Sequence, residues 1–264
     1  MRHKIFKKVL LSIAGSDNTS GAGVQCDIKT SLTLNTYCVN CVTSVTSQSS
    51  NGVRQIVNIP QKVIISQLNT IFDEFNVDCI KIGLLNSYAS AISIINILEK
   101  FKIKVPIVID PIYRSTSKTN FLKRETYLKI HKVFAKLNPV FTPNIDELKI
   151  LLNVKKSYEL DKNLLIQKFF KKYKSNVVLT GGNNEGTYST DYVIDENLKI
   201  KKISSKRIVS NNTHGSGCAF SSSLAIYLAM GNTLFEALKL SKKYTRKAIL
   251  NSPMLGVGYG PVGH

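Results

Sequence analysis

No stretch of the chain is apolar over the roughly 18 positions that a membrane-spanning helix needs, so no membrane helix or membrane partner is expected. Met1 to Ile13 imitates a secretory leader, with Lys7 and Lys8 ahead of an apolar run. That run is short and leads into Gly15-Ser16-Asp17, which reads as strand and turn instead. Cysteine is scarce, odd in number at 5 and widely spaced, which argues against a disulfide framework and for a reducing, cytoplasmic setting. Cys38-Val39-Asn40-Cys41 has no second pair and sits in a strand-like run, so core packing is expected rather than metal or redox chemistry. Acidic residues are also few, 17 against 36 Lys and Arg, for a net charge of +19. Yet Lys168, Lys171, Lys172 and Lys174 are scattered along helices, and no aromatic-rich RNA-recognition or zinc-finger pattern accompanies them. No nucleic-acid partner is expected; the positive field suits a small anionic ligand. Internal repeats, low-complexity stretches and linkers are lacking, which leaves one domain over residues 1–264.

What is present is alternation. Strand-like and helix-like segments succeed each other, the signature of βα units around a largely parallel sheet. Tyr37 to Ser47 reads as a strand ending at Gln48, and Pro60 opens a helix with Ile64, Leu68, Ile71, Phe72 and Phe75 on one stripe. Cys79 to Ile82 is a short strand ending in Gly83, and a helix follows from Ser87 to Phe101. Val105 to Ile109 is a buried strand ending on Asp110-Pro111. Pro139 to Phe141 leads into Thr142-Pro143-Asn144, where Thr142 could cap a helix with Pro143 at its first position. Val177 to Leu179 ends at Thr180-Gly181-Gly182, Thr187 to Ser204 looks like a hairpin, and helices near Ser216–Met230 and Thr233–Leu250 close the chain. Polar and glycine residues fall repeatedly just after strands, at Gly15, Gln48, Gly83, Asp110, Asn144 and Thr180. In open α/β sheets ligands bind outside those carboxyl ends, so one cleft is expected along one edge.

Two glycine turns give that cleft a chemistry. Asn212-Thr213-His214-Gly215-Ser216-Gly217-Cys218 opens a helix, where converging backbone N–H groups and the helix dipole favour a phosphoryl group. Cys218 falls in the first turn, where a thiol is most easily shifted toward thiolate. The other turn, Gly15 to Gly23, follows the apolar run Val9 to Ala14. It lacks the Gly-Lys-Ser/Thr ending of a P-loop, and its glycines do not fall as Gly-x-Gly-x-x-Gly, so both standard nucleotide motifs are excluded.

In this order and spacing the residues resemble the hydroxymethylpyrimidine/phosphomethylpyrimidine kinases of the ribokinase-like superfamily, nearly end to end. The matches are Ala14-Gly15-Ser16-Asp17, Gly21 to Thr30, Gln48, Lys81-Ile82-Gly83, Asp110-Pro111, Thr142-Pro143-Asn144 with Glu147, Gly181-Gly182, Thr213 to Cys218, and Gly256 to Val262. The resemblance implies a three-layer α/β/α fold with a central, mostly parallel sheet. It also implies a homodimer and a cytoplasmic kinase of thiamine biosynthesis that phosphorylates an aminopyrimidine with ATP and Mg²⁺. Residue by residue, it implies that Gly15, Asp27 and Gln48 hold the aminopyrimidine and that Leu84 covers its ring. Cys218 would act as base, with Gly215, Ser216 and Gly217 forming the anion hole. Asp110 and Glu147 would order Mg²⁺, and Asn144, Thr180 and Gly182 would lie by the ATP phosphates. Because the second acceptor is already an anion, losing Cys218 would harm the first phosphorylation more than the second.

Each residue also has a plainer explanation. Asp27 could be a solvated helix residue, Gln48 a strand end, Asp110 a turn former and Cys218 a small buried hydrophobe. His214 is expected to shape its loop. The chain departs from the family at Ser20, where a third glycine is usual, and at Thr180-Gly181-Gly182-Asn183, where a lysine is usual at the first position. In Arg114 to Lys118, either Arg114 or Lys118 could supply the missing charge. The alternatives are a pyridoxal or pyridoxine kinase of the same superfamily and a non-catalytic vitamin- or nucleotide-binding regulator.

Overall fold

The computed structural model describes residues 6–114, 121–154, 161–182, 186–194 and 198–264. In chain order the strands are β1 (Val9–Asp17), β2 (Tyr37–Ser49), β3 (Gly52–Asn58), β4 (Cys79–Ile82), β5 (Ile107–Ile109), β6 (Val140–Phe141), β7 (Asn176–Leu179), β8 (Tyr188–Ile194) and β9 (Ile200–Lys206). The helices are α1 (Gly23–Thr33), α2 (Gln61–Glu74), α3 (Tyr88–Lys100), α4 (Arg124–Phe134), α5 (Ile145–Leu152), α6 (Lys162–Tyr173), α7 (Ser216–Ala229) and α8 (Leu234–Leu250). One nine-stranded sheet runs β3-β2-β1-β4-β5-β6-β7-β8-β9. From β2 to β7 every pairing is parallel, and the antiparallel pairings are confined to the two flanks.

Helices α2 to α6 pack on one face of this sheet, where Ile64, Leu68, Ile94, Phe141, Leu148 and Phe169 belong to one buried cluster. Helices α7 and α8 cover the other face through Phe220, Leu224, Ile226 and Leu238. Both faces are therefore dry, which is why all four residues of β4 are buried and why its sequence does not alternate. Helix α7 carries this furthest. Cys218 through Ile226 are all buried, and its serines and alanines let the backbone lie close against the sheet, α1 and α8. The three-layer α/β/α expectation holds.

Cys38 and Cys41, three apart on β2, fall on opposite faces, as a side-chain period of two requires. Cys41 joins the cluster beneath α2 and Cys38 packs on the far side, so the pair neither bridges nor chelates. Two local expectations are revised. Strand β3 was not anticipated, because it is a largely exposed edge strand with no buried face to impose alternation. Helix α5 starts at Ile145 with Asn144 as its N-cap, so Thr142 and Pro143 lie ahead of it. The side-chain amide oxygen of Asn144 accepts from the Glu147 N–H, and the Glu147 carboxylate accepts from the Asn144 N–H. This reciprocal box satisfies two otherwise orphaned donors, which Thr142 two positions earlier is too far back to do.

Candidate active site

A cleft of about 910 Å³ follows the carboxyl ends of the parallel strands. Gly15 and Gln48 lie near the ends of β1 and β2, Asp110 and Thr180 directly follow β5 and β7, and Leu84 and Asn144 come shortly after β4 and β6; all of them line it. Gly215, Ser216, Gly217, Cys218, Glu147 and Gly182 line it as well. Twelve of the thirteen residues singled out in the sequence thus share one cavity, and Asp27 is the exception.

Asp27 lies on α1, fully buried. Both its oxygens accept from Lys81 Nζ at 2.9 Å, and it also accepts from Ser12 Oγ at 2.5 Å and Ser222 Oγ at 2.7 Å. That set fills its acceptor sites, and Asp27, expected at the ligand, lies outside the cleft lining, where it anchors Lys81. Lys81 itself is fully buried in β4 and lines the cleft. Burial opposes its charge, but Asp27, with help from Cys218 and Asp110, more than offsets this and holds the ammonium well above the usual lysine range.

The two glycine turns meet. Gly215, the N-cap of α7, has φ +85°, and a Cβ there would lie 1.8 Å from the carbonyl oxygen of Gly21, so only glycine fits. Asp17 draws the turns together, accepting from Thr19 N–H at 2.8 Å, Ala22 N–H at 2.8 Å and His214 Nε2 at 2.8 Å. Burial pushes this carboxyl up, but those bonds outweigh burial and hold it well below the usual range. His214 thus shapes the loop as expected. Its N–H donates to the Gly260 carbonyl and its own carbonyl accepts from the Val262 N–H, which straps the C-terminal segment to the turn that opens α7.

Cys218 sits in the first turn of α7, yet its thiol is pushed up to about 12, not toward thiolate. Burial dominates; Lys81 opposes it, while the carboxylates Asp27 and Asp110 reinforce it. Desolvation of the charged form thus outweighs what the helix N-terminus offers the thiolate. Asp110 faces the same turn. Its Oδ2 would be 3.6 Å from a Cβ on Gly217 and accepts from Ser221 Oγ at 3.3 Å. Burial raises Asp110 to about 6 against the pull of Lys81, and burial with the Asp110 charge raises Glu147 to about 8. Glu147 also accepts from Tyr113 N–H at 3.3 Å. Gln48 donates its own N–H to Asn18 Oδ1 at 2.7 Å, and among the described residues its side-chain amide has no partner.

At the far end, Thr180 is tied to the Pro143 carbonyl through its N–H at 2.9 Å and its Oγ1 at 3.3 Å. A Cβ on Gly181 would lie 2.4 Å from the Thr190 carbonyl oxygen, which explains the glycine. Its N–H donates to Asp191 Oδ1 at 2.7 Å, and Asp191 Oδ2 pairs with Lys242 at 2.8 Å. Asp191, Lys242, Arg207 and Arg246 all line the cleft, and sequence reasoning missed them. They lie on the hairpin and α8 rather than just after parallel strands, and single charges in a strongly basic chain carry no local signal. Arg114 lines the cleft too, whereas Lys118 and Asn183 lie outside the described residues.

The sequence matches the phosphomethylpyrimidine kinase family over residues 17–263. The chain belongs to that family. A hydroxymethylpyrimidine/phosphomethylpyrimidine kinase of Aquifex aeolicus is 32% identical over 95% of this chain and 98% of its own length. A thiamine biosynthesis bifunctional protein of Geobacter sulfurreducens is 33% identical over 97% of this chain, and a probable thiamine biosynthetic bifunctional enzyme of Oryza sativa is 34% identical over 96%. The chain spans 52% and 46% of those two, about half their length. Among solved structures, the phosphomethylpyrimidine kinase of Clostridium difficile 630 is 30% identical with TM-score 0.79, over 92% of this chain and 100% of that one. The Bacillus subtilis pyridoxal kinase, solved as an ADP complex, is 28% identical with TM-score 0.86 over 97% of both chains. The family and the ribokinase-like fold expected from the sequence are thereby established.

Proposed function

We propose that the protein, as a single ribokinase-like domain over residues 1–264, transfers the γ-phosphoryl group of ATP to 4-amino-5-hydroxymethyl-2-methylpyrimidine. A second transfer, to the resulting monophosphate, then gives the diphosphate used in thiamine diphosphate biosynthesis. The observation that carries this is the meeting of the Gly215–Cys218 turn with Gly15, Gln48 and Leu84 in one cleft, within a chain of this family. The Gln48 amide can both donate to and accept from an aminopyrimidine edge, giving directional recognition beside the apolar Leu84. Of the N–H groups from Gly215 to Cys218, that of Ser216 is held by the Thr213 carbonyl at 3.1 Å, and the others would stabilise the charge that builds on the transferring group, usually the larger effect in such reactions.

Cys218 takes the hydroxymethyl proton in the first transfer. Emptying a thiol of pKa about 12 at pH 7 costs about 7 kcal/mol, so the hydroxymethyl proton passes to a small thiolate fraction next to Lys81 and leaves Cys218 as the thiol. Among the described residues no cluster of three or more His, Cys, Asp or Glu forms a metal cage. Asp110 and Glu147 nonetheless fit Mg²⁺, which favours oxygen donors and is commonly held by one or two carboxylates together with substrate phosphates and water. Bound there, Mg²⁺ would neutralise charge on the ATP phosphates. Asn144 would serve the phosphates through its side-chain N–H₂, since its oxygen is held by the α5 cap. Thr180 and Gly182 flank the same end. The free thiols suit a reducing cytoplasm, and no helix among the described residues is long and apolar enough to cross a membrane. The assembly we propose is a homodimer, which light scattering after gel filtration checks.

The pyridoxal kinase reading has one specific support, the close fit to pyridoxal kinases, including a Staphylococcus aureus complex with AMP-PCP and pyridoxal at TM-score 0.87 and 26% identity. An ADP-release assay with Mg-ATP and three acceptors separates the readings. Turnover of both pyrimidines with little on pyridoxal supports the proposal, and a preference for pyridoxal overturns the substrate. Binding without turnover points to a regulator.

A further inference from the structure

Apart from Arg114, which follows β5, the basic side chains lining the cleft divide into two kinds. Lys81 and Lys242 each face a carboxylate, that of Asp27 and Asp191, at 2.8–2.9 Å, so their charges are compensated locally, and His214 faces Asp17 at 2.8 Å. Arg207 and Arg246 hold only neutral oxygens. Arg207 donates from Nε to the Gly186 carbonyl at 2.9 Å, from Nη1 to Gly182 at 2.8 Å, and from Nη2 to Gly181 and Tyr188 at 3.2 Å each. Arg246, on α8, donates from Nη1 to Ser205 Oγ at 3.1 Å and to the Lys206 carbonyl. Among the described residues neither guanidinium meets a carboxylate, so two unit charges at the β9–α8 side of the cleft remain uncompensated.

We infer that Arg207 and Arg246 form the polyphosphate-binding end of the cleft. This rests on the kinase reading above and assigns the side of the site on which the nucleoside triphosphate carries its charge. Three observations support it. A guanidinium has five N–H donors; the bonds above leave about one on Arg207 and about three on Arg246 for a ligand, and guanidinium forks match phosphate oxygens well. Second, Arg207 draws the carbonyls of Gly181 and Gly182 toward itself. Both carbonyls are held by the guanidinium, so neither turns its partial negative charge toward a neighbouring anion, and the Gly182 N–H points the opposite way from the Gly181 carbonyl. Third, the strand end just beside them is Thr180, which brings no charge, so the positive potential of this end depends on the two arginines.

Binding isotherms of ATP and adenosine for the wild-type protein, Arg207→Gln and Arg246→Gln test this, with thermal unfolding as a control. Each variant should weaken ATP by roughly tenfold or more, the loss of a charge-assisted contact, and leave adenosine nearly unchanged. Thr180→Lys added to Arg207→Gln should recover part of the ATP affinity, which a purely structural arginine would not allow. Equal losses for ATP and adenosine would overturn the inference by making the arginines props of the hairpin, and unchanged ATP affinity would overturn it outright. A wild-type protein that binds ATP but phosphorylates no pyrimidine would sink the substrate reading while the ATP-to-adenosine ratio still decides this one. No ATP binding by the wild-type protein would overturn both.

Discussion

Cys218 shows how the helix N-terminus and burial compete at one residue, and burial wins. Because its thiol lies near 12, the thiolate fraction rises about tenfold per pH unit across the neutral range. The kcat/KM of the first transfer should therefore climb more steeply with pH between about 7 and 9 than that of transfer to the monophosphate, which shares only the ionisation of Glu147 near 8. Cys218→Ala should abolish that difference in slope and harm the first transfer more than the second. Equal slopes for the two acceptors, or equal losses in the variant, would remove Cys218 as the base. Asp27 and Lys81 are a second residue-scale case. Lys81→Met leaves a buried carboxylate without its cation and should cost about 3–5 kcal/mol in urea unfolding. If Asp27 instead contacted substrate, Asp27→Asn would raise the pyrimidine KM with stability intact. Ser20, with φ 60°, occupies the left-handed region where glycine is at ease. Ser20→Gly should stabilise the protein by up to about 1 kcal/mol; a loss of stability would mean that its side chain matters more than its backbone.

Among the elements, α4 carries a pH-dependent contribution. Burial lowers His131 to about 4, although its Nδ1 bond to the Tyr127 carbonyl, at 2.7 Å, opposes this. The unfolded chain takes up this proton near pH 6.5 and the native one only near 4. Stability should therefore fall as pH drops through that window, by up to about 3 kcal/mol, and level off below it. His131→Phe should flatten that part of the curve relative to wild type, and an unchanged slope would refute the assignment. The legibility of elements follows the same physics. Strands β4 to β7 were readable because both faces are covered, which makes them short apolar runs bounded by glycine or proline. The edge strand β3 was not, because its exposed residues respond only to pairing with β2. The start of α5 moved because a reciprocal Asn144–Glu147 cap is a stronger stop than a hydroxyl before proline.

For the whole molecule, the alternation of strands and helices and the placement of polar residues after strands were enough to foresee one cleft along one sheet edge. Asp27 lies outside the cleft lining for a physical reason. Sequence shows a carboxylate on α1, but whether it faces ligand or a lysine depends on β4, which lies more than fifty residues away and contributes a lysine no apolar strand predicts. The hairpin and α8 arginines were hidden likewise among the 36 basic residues. The central claim is two successive transfers to one acceptor, and phosphorus NMR of a reaction holding excess Mg-ATP and hydroxymethylpyrimidine tests it most directly. The account predicts a monophosphate ester that appears first and is converted to the diphosphate, with two ADP formed per pyrimidine. A reaction that stops at the monophosphate with one ADP per pyrimidine, or that leaves the alcohol untouched, would contradict it.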